Sequence, residues 1–392
     1  MAIKIPPALM KLPGHLKALA GKAGLDPVLQ FFFGSPDLLG VDIGSQSIKV
    51  VWLKQKGDKY RLLQWAVLPL ELEADTPAEE RIAQSVKVLK TFLGVKKVTL
   101  KSAATSVSGN SVIVRYVKFA PLSREELAQI LPTEAEPFIP FDINEVALSF
   151  YILGEVEEEG QPKMETVLVA VKNDLLDDRL DILQKAGLRP GVVDVDAFTL
   201  ENIPRPPSPQ EGGAATLHLN IGNQVTNLSI TEGKLTRVVR DVFIGGINFT
   251  KAIAKALQCD AAKAEDLKRS CGIMVSSQDK AKALEEGNRE ALAVSQALTE
   301  VARDLVSEVQ RSVDFYLSQG SDRAIQNIVL SGGSASLKNI AQYLDSDLKV
   351  PVEVLNPLAF VEGQGQQVPE EYRPSLAVAT GLALRKKKDW LT

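Results

Sequence analysis

One short pattern occurs twice in this chain, 178 residues apart, and it constrains the fold more than any other feature. Asp42-Ile43-Gly44 and Asn220-Ile221-Gly222 each follow an apolar, strand-like segment and precede a few polar residues and a second such segment. Two copies of one β-hairpin, each opening a mixed segment of strands and helices, indicate an internal duplication. The sequence therefore predicts two similar lobes that face each other across a cleft.

Each copy of the pattern lies among further strand-like segments. Alternating apolar residues between turn residues predict three strands around each copy. These strands are predicted at residues 38–41, 48–53 and 60–67, and at residues 215–220, 226–231 and 235–241. Later in the chain, apolar residues from Leu298 to Tyr316 recur at three- and four-residue steps, which is the pattern of an amphipathic helix. The fold class is therefore predicted to be α/β.

Proline and glycine divide the chain into segments. In residues 1–37, Pro6, Pro7, Pro13 and Gly14 interrupt every long helix, so a flexible extension is predicted there. Residues 204–213 contain four prolines and two glycines and are predicted to be a loop. That loop separates a first lobe, residues 38–214, from a second lobe, residues 215–384, which a basic tail at residues 385–392 follows.

The composition argues against several functional classes. A formal net charge of −4 gives no reason to expect a nucleic acid as partner. The two histidines, His15 and His218, and the two cysteines, Cys259 and Cys271, are not spaced as a zinc site, so the cysteines are expected to be reduced core thiols. No stretch approaches the roughly 18–20 apolar residues of a membrane span, and lysines interrupt the first residues, so no signal peptide is predicted. We therefore expect a cytoplasmic protein.

A helix is predicted shortly after the first strands. Ser123 and Glu126 form a capping box, which predicts that the helix begins at Arg124. Pro132 is expected to end or kink this helix near Leu131, because proline lacks the amide hydrogen that the helix needs. Two further prolines within residues 137–141 are expected to stop any continuation.

The turn of the first hairpin has the chemistry of a phosphate-binding loop. Glycine at Gly44 lets backbone N–H groups approach phosphate oxygens, because no Cβ blocks the way. Asp42 lies at the end of the preceding strand, where a carboxylate can hold hydrated Mg²⁺ against the phosphates. The other donors and the cation of this turn are Ser45, Gln46, Ser47 and Lys49.

Further glycine-rich motifs follow in a characteristic order. After the two hairpins come Gly245-Gly246 and the Ser-Gly-Gly-Ser segment at residues 331–334, an order and spacing that resemble the actin-like nucleotide-binding superfamily. Within it, residues 134–146, 183–188 and 192–198 resemble the type IV pilus assembly protein PilM family. The resemblance covers about residues 38–385.

The resemblance implies a fold and its subdivisions. It implies a two-lobed, actin-like fold, which is a duplicated ribonuclease H-like fold, with a subdomain inserted in the first lobe at about residues 110–190. The second lobe is expected to contain a helix-rich subdomain at about residues 247–320. The end of the chain is expected to return toward the first lobe.

The resemblance also assigns roles to matching residues, with ATP or ADP and Mg²⁺ as the implied cofactors. The first phosphate loop is expected to consist of Gly44, Ser45, Gln46, Ser47 and Lys49, and the second of Gly222, Asn223, Gln224, Thr226 and Asn227. The nucleoside side is expected to consist of Gly245, Gly246, Glu265, Lys268, Gly332, Gly333 and Ser334. Asp196 falls near the position where relatives carry the residue that positions the attacking water. The alternative for Glu265 and Lys268 is a solvated helix face.

One residue departs from the family pattern. Relatives usually carry aspartate where this chain has Asn220. An amide retains an oxygen for a water molecule on Mg²⁺ but loses the negative charge, and phosphoryl transfer depends on metal placement and charge neutralisation. We therefore expect Asp42 to be the main metal ligand, Asn220 to act only through water, and ATP hydrolysis to be weak or absent.

The resemblance further implies partners. Proteins of this kind bind the short cytoplasmic tail of a membrane-anchored PilN-like protein beside the inserted subdomain and connect the inner-membrane platform to pilus motor ATPases. The expected location is the cytoplasm at the inner face of the inner membrane, with membrane association through partners. The predicted partner surface consists of Glu134, Glu136, Phe138, Ile139 and Phe141. The alternative for this proline-flanked segment is a buried helix stop.

Two other functions remain open at this point. A small-molecule kinase on the same fold needs a carboxylate base, for which Asp194 and Asp196 are the candidates. An FtsA-like divisome adaptor needs a longer amphipathic tail helix than the residues that follow Arg385 supply.

Overall fold

The computed structural model describes residues 2–3, 37–72, 76–205, 215–233, 235–320, 323–362 and 368–386. The flexibility predicted for residues 1–37 therefore falls almost wholly outside the described residues, as do most of the 204–213 loop and the end of the basic tail. No helix within the described ranges has both the length and the apolar character needed to cross a membrane.

Strands and helices alternate along most of the chain. The strands are β1 (Ala2–Ile3), β2 (Leu39–Ile43), β3 (Ser47–Lys56), β4 (Lys59–Pro69), β5 (Ser102–Val107), β6 (Val112–Phe119), β7 (Val146–Glu158), β8 (Gln161–Lys172), β9 (Arg189–Val195), β10 (Ala215–Ile221), β11 (Thr226–Glu232), β12 (Leu235–Val242), β13 (Ile325–Ser331) and β14 (Val352–Val354). The helices are α1 (Ala78–Val95), α2 (Arg124–Ala135), α3 (Asn173–Lys185), α4 (Asp196–Glu201), α5 (Gly246–Leu257), α6 (Ala261–Cys271), α7 (Ser277–Glu285), α8 (Arg289–Leu317), α9 (Ile340–Leu348) and α10 (Ala377–Leu384).

Two sheets repeat the same topology. In the first, β2, β3 and β4 form an antiparallel meander, β5 is parallel to β2, and β9 is parallel to β5. In the second, β10, β11 and β12 form the meander, β13 is parallel to β10, and β14 is parallel to β13. The duplication that the repeated hairpin predicts is therefore confirmed. The short strand β1 extends the first sheet by pairing antiparallel with β9.

A third sheet forms the inserted subdomain. It has the order β6-β8-β7, and α2 packs on it through a core that includes Leu127, Leu131 and Leu168. The next helix, α3, packs against α1 and the first sheet, and β9 is a strand of that sheet. The structure therefore differs from the predicted boundary near residue 190, because the inserted sheet ends at Lys172.

Helix α2 corrects one local prediction. Pro132 lies inside α2, which continues to Ala135 rather than ending near Leu131. The capping box at Ser123 and Glu126 is present as predicted. The helix continues because Leu127, Leu131 and Ala135 lie on one face and are buried against the sheet, and this burial outweighs the hydrogen bond that proline removes.

Three further helices pack on the sheets of the two lobes. In the second lobe, α5 and α8 cover the second sheet and bury Phe249 and Tyr316, with Cys259 and Cys271 as free, half-buried thiols at the edge of that core. Near the end of the chain, α10 packs directly on β2, where the backbone of Ala379 lies against Gly40 and leaves no room for a Cβ. The strand that carries Asp42 is thus held from behind by the last helix.

Candidate functional site

The turns of the two hairpins lie at one cleft between the lobes. Gly44 N–H donates to Ser47 O at 3.2 Å, and Gly222 N–H donates to Val225 O at 3.0 Å, so the two turns close in the same way. Across the cleft, Asn223 Nδ2 donates to Ser45 Oγ at 3.3 Å. The prediction that both turns face one cleft is confirmed.

A cavity of about 840 Å³ fills this cleft, and most of the predicted nucleotide-site residues line it. From the first lobe they are Asp42, Gly44, Ser45, Gln46, Ser47, Lys49 and Asp196. From the second lobe they are Asn220, Gly222, Asn223, Gln224, Asn227, Gly246, Glu265, Lys268, Gly332, Gly333 and Ser334. The volume is within the range of roughly 300–1,000 Å³ that small-molecule sites occupy.

Two predicted residues support the wall instead of lining it. Thr226 is buried, and its Oγ1 donates to Ile244 O at 2.6 Å. Gly245 is also buried, and its N–H donates to Asn248 Oδ1 at 2.9 Å. Their part in the site is therefore to hold the start of α5, and not to contact a ligand.

The glycine turn after β13 closes the second-lobe side. Gly332 has φ +89° and lies against the backbone of Ile221, so both its conformation and its surroundings require glycine. Ser334 Oγ donates to Gly222 O at 3.3 Å. This bond joins the last glycine turn to the second hairpin turn.

Glu265 and Lys268 form a bonded group on the cleft wall. Lys268 Nζ lies 2.6 Å from Glu265 Oε2, and it also donates to Thr250 Oγ1 at 2.9 Å and to Gly246 O at 3.3 Å. Burial lowers the pKa of Lys268, against the opposing effect of Glu265. The alternative of a solvated helix face is therefore wrong, because the pair bonds to α5 and borders the cavity.

The candidate metal ligands differ between the two turns. Asp42 Oδ2 lies 3.3 Å from Lys49 Nζ. Asn220 is buried; its Nδ2 donates to Asn227 Oδ1 at 2.7 Å, and its Oδ1 accepts from Ser331 Oγ at 3.4 Å. Among the described residues, no group of three or more His, Cys, Asp or Glu is arranged to hold a metal ion. The donor set thus fits only an Mg²⁺ ion that phosphates and water molecules hold for the most part.

The amide of Asn220 belongs to a chain of hydrogen bonds that crosses between the lobes. Asn227 Nδ2 donates to Asp241 Oδ1 at 2.8 Å, and Asp241 Oδ2 accepts from Gly109 N–H in the first lobe. A carboxylate accepts only, so Asp241 fixes the direction of both amides. Burial raises the pKa of Asp241, although its bonds to Asn227 and Gly109 oppose this.

Asp196, the candidate catalytic residue, is the first residue of α4 and lines the cleft. Its Oδ2 accepts from Ser108 Oγ at 2.6 Å. Burial, and then the nearby charge of Asp42, raise the pKa of Asp196 to about 6. A carboxylate with such a pKa can orient water or accept a proton near neutral pH. Asp194, the other candidate base, is instead buried and paired with Arg385.

Sequence reasoning missed several polar residues of the cleft. Arg81 Nη1 donates to Ser45 O at 3.2 Å and so supports the first turn. Arg179 lines the cavity from α3, and its Nε is buried. A signal for Arg179 was present, because it occupies a position in the stripe that Leu176, Leu180 and Leu183 form at helical spacing.

The predicted partner-binding residues do not share one environment. Glu134 and Glu136 are exposed, and Phe138 is 40% exposed. Phe141 is half-buried, with Lys172 Nζ 4.6 Å from its ring centroid. Ile139 is buried in the subdomain core, so its assignment to the partner surface is corrected: here the alternative of a buried helix stop is right.

Comparisons with known proteins agree over nearly the whole chain. A family model described as type IV pilus assembly protein PilM matches residues 40–387. A solved chain of a PilM-PilN type IV pilus biogenesis complex is 27% identical, with a TM-score of 0.72, and the match covers 89% of this chain and 98% of that one. Ethanolamine utilization protein EutJ from Carboxydothermus hydrogenoformans is 14% identical, with a TM-score of 0.50 and 90% of each chain covered, and shares the fold. The predicted two-lobed, actin-like fold is confirmed.

Proposed function

The chain belongs to the type IV pilus assembly protein PilM family, and we propose that it is a nucleotide-binding scaffold that binds the cytoplasmic tail of a PilN-like membrane protein. The match across residues 40–387 carries this proposal, because it includes both lobes and the inserted subdomain. The solved relative, which the match covers almost completely, is part of a PilM-PilN complex. The proposed location is the cytoplasmic face of the inner membrane, reached through the partner, with pilus motor ATPases as further partners.

The inserted subdomain offers a surface for that tail. Ile130 is 39% exposed, and it is followed at four-residue steps by the exposed Glu134 and by Phe138. Residues four apart lie on the same side of a helix, so Ile130 and Glu134 share one exposed face of α2, and Phe138 follows in the short turn after that helix. Such a face suits a tail that combines apolar side chains with basic ones.

Titration calorimetry with a PilN-like tail peptide tests this surface. We expect Glu134→Lys/Glu136→Lys, and separately Phe138→Ala, to weaken binding about five- to thirtyfold, since a lost charge pair or apolar anchor contributes about 1–2 kcal/mol. The matched control is Glu285→Lys/Asp347→Lys, which reverses two exposed charges on the second lobe. Unchanged affinity in every subdomain variant, with the fold intact, would contradict the proposed location. No binding by the unmodified protein would contradict the scaffold itself.

The cleft is the proposed nucleotide site, with ATP or ADP as ligand. Two glycine turns, Lys49, and the bonded pair Glu265–Lys268 surround one cavity of suitable volume. The glycine turns bring N–H groups to the phosphates, and Lys49 adds positive charge. Mg²⁺, when bound, would neutralise phosphate charge beside Asp42, with Asn220 reached only through water.

Hydrolysis is proposed to be weak or absent. Asp196 can orient a water molecule, but Asn220 leaves the metal with one carboxylate. A small-molecule kinase would need a carboxylate base, and Asp196 is the candidate, because its raised pKa of about 6 suits a proton acceptor. The family membership favours the scaffold over that alternative and over an FtsA-like adaptor.

A further inference from the structure

An arginine occupies an unusual position on the first-lobe wall of the cleft. Arg179 belongs to α3, on the stripe where Leu176, Leu180 and Leu183 are buried against the first sheet. Its side chain reaches the cavity that Asp42 and Asp196 also line. A charged side chain has therefore taken a place in the buried stripe of the helix, and it lines the same cavity as the two hairpin turns.

The guanidinium of Arg179 lacks a partner within the described part of the protein. Its Nε is buried without a hydrogen bond, and no carboxylate of the described residues lies within 4.0 Å as an ion pair. The charges of Asp196, Asp42 and Asp178 act on it, but none of these carboxylates forms an ion pair with it in the described part of the chain.

The other cations of the cleft are engaged. Lys49 is paired with Asp42, Lys268 and Arg269 are paired with Glu265, and Arg81 donates to Ser45 O. A buried charge without a partner is costly, and proteins keep one where a ligand or a partner charge completes it. Arginine stays charged even when buried, and its planar fork of N–H donors matches phosphate oxygens.

The second turn explains why a cation is useful at this place. A site built around a metal ion between two carboxylates supplies its positive charge through that ion. Here Asn220 is neutral, and Asp42 is already balanced by Lys49. The guanidinium of Arg179, on the first-lobe wall that faces Asn220, would repel a divalent cation but attract a phosphate anion directly.

We propose that Arg179 binds the terminal phosphate of a nucleoside triphosphate and takes over part of the charge neutralisation that a metal ion provides elsewhere. The inference rests on the proposed nucleotide site and sharpens it. The preferred ligand is a triphosphate rather than a diphosphate, and the preference persists when Mg²⁺ is removed.

Equilibrium binding of ATP, ADP and inorganic tripolyphosphate, each in EDTA and in Mg²⁺, tests the proposal. The unmodified protein should bind ATP at least about tenfold more tightly than ADP in EDTA, because ADP lacks the terminal phosphate that the charge-assisted bond from Arg179 would hold. Arg179→Gln should remove this preference and change ADP affinity less than about twofold, while Arg179→Lys retains part of it. Lys185→Gln, which removes an exposed cation from the same helix, is the control.

Thermal unfolding separates a ligand role from a structural one. Without nucleotide, Arg179→Gln should unfold at the same temperature as the parent or at a higher one, because a half-buried charge without an ion-pair partner in the described residues is removed. Stabilisation by ATP should then be smaller than in the parent. A lower melting temperature together with unchanged ATP preference would overturn the proposal for Arg179 alone. No binding of ATP, ADP or tripolyphosphate by the unmodified protein would overturn both this proposal and the nucleotide site.

Discussion

The two hairpin turns at the cleft have the same backbone arrangement, but the first carries a charged pair of side chains and the second a neutral pair. In the first, Asp42 pairs with Lys49 across neighbouring strands, and in the second, Asn220 pairs with Asn227 at the equivalent register. The first pair carries two charges at 3.3 Å, and the second is a neutral amide pair at 2.7 Å. Both turns close through one glycine.

The difference shows that the two copies of a duplicated hairpin can be suited to different roles. The Asp42–Lys49 pair is partly exposed, so a ligand can separate its charges and use each of them. The Asn220–Asn227 pair is buried and continues through Asp241 to Gly109 of the first lobe. The first turn is therefore suited to exchange partners with a ligand, and the second is suited to hold the two lobes in register.

The largest expected effect on ATP affinity comes from removing the positive charge of the first turn. Lys49→Met removes the cation beside Gly44 and leaves the Asp42 carboxylate without its partner. We expect ATP affinity to fall about a hundredfold, because both a charged hydrogen bond and its electrostatic balance are lost. Fluorescence or calorimetric titration checks this, with Lys54→Met on the same strand as an exposed control. If ATP affinity falls no further in Lys49→Met than in Lys54→Met, the charged pair of the first turn does not contribute to nucleotide binding, and the proposed difference between the two turns is wrong.

A second effect concerns pH. The pKa of Asp196 is about 6 in the folded protein against 3.8 for the free side chain, so the folded state binds the proton more tightly. Stability from this group is thus lost as the pH rises from about 4 to about 6. Asp196→Asn should remove that loss and raise the free energy of unfolding at pH 7.5 by about 3 kcal/mol, with little change at pH 4.

Urea unfolding at the two pH values measures this difference. The variant keeps an oxygen that can accept from Ser108 Oγ, so a fault in packing is not expected. A parent and a variant with the same dependence of unfolding free energy on pH would contradict the assignment.

The third prediction compares the two glycines directly. A Cβ on Gly222 would lie 2.7 Å from the backbone oxygen of Val225, which cannot move without opening the turn. A Cβ on Gly44 would lie 2.8 Å from the flexible end of Lys49 and 3.0 Å from Ser47 O. We expect Gly222→Ala to cost about 1–2 kcal/mol of unfolding free energy and Gly44→Ala about half of that. Equal costs in chemical denaturation would indicate that the second turn is no more rigid than the first.

The sequence predicted the repeated part of the molecule well. The turns at Gly44 and Gly222 are visible because glycine between two apolar strands is a local signal, and its repetition reveals the duplication. Local patterns of this kind need no knowledge of distant residues.

The unpredicted features depend on distant contacts. The direction of the Asn220 amide is set by Asp241 through Asn227, and the order of these residues along the chain does not indicate it. The sequence around Ile139 suggested an exposed apolar residue of a binding surface, but Ile139 is buried in the core of the inserted subdomain. Pro132 breaks a helix in isolation, but packing of the opposite face keeps α2 intact.

The most direct test of the contrast between the turns is the dependence of ATP affinity on Mg²⁺ in the unmodified protein and in Asn220→Asp. The introduced carboxyl would face Asn227 Oδ1, so we expect the folded protein to lose about 1–3 kcal/mol of stability at pH 7. The same carboxyl gives the metal a second charge, and Mg-ATP affinity should rise about tenfold, or about 1.4 kcal/mol. Asp42→Ala should abolish whatever Mg²⁺ dependence the parent has. We predict a parent with a weak Mg²⁺ effect and very slow or absent turnover; rapid Mg²⁺-dependent ATP hydrolysis by the parent, or an Asn220→Asp variant that binds Mg-ATP no more tightly, would contradict the account.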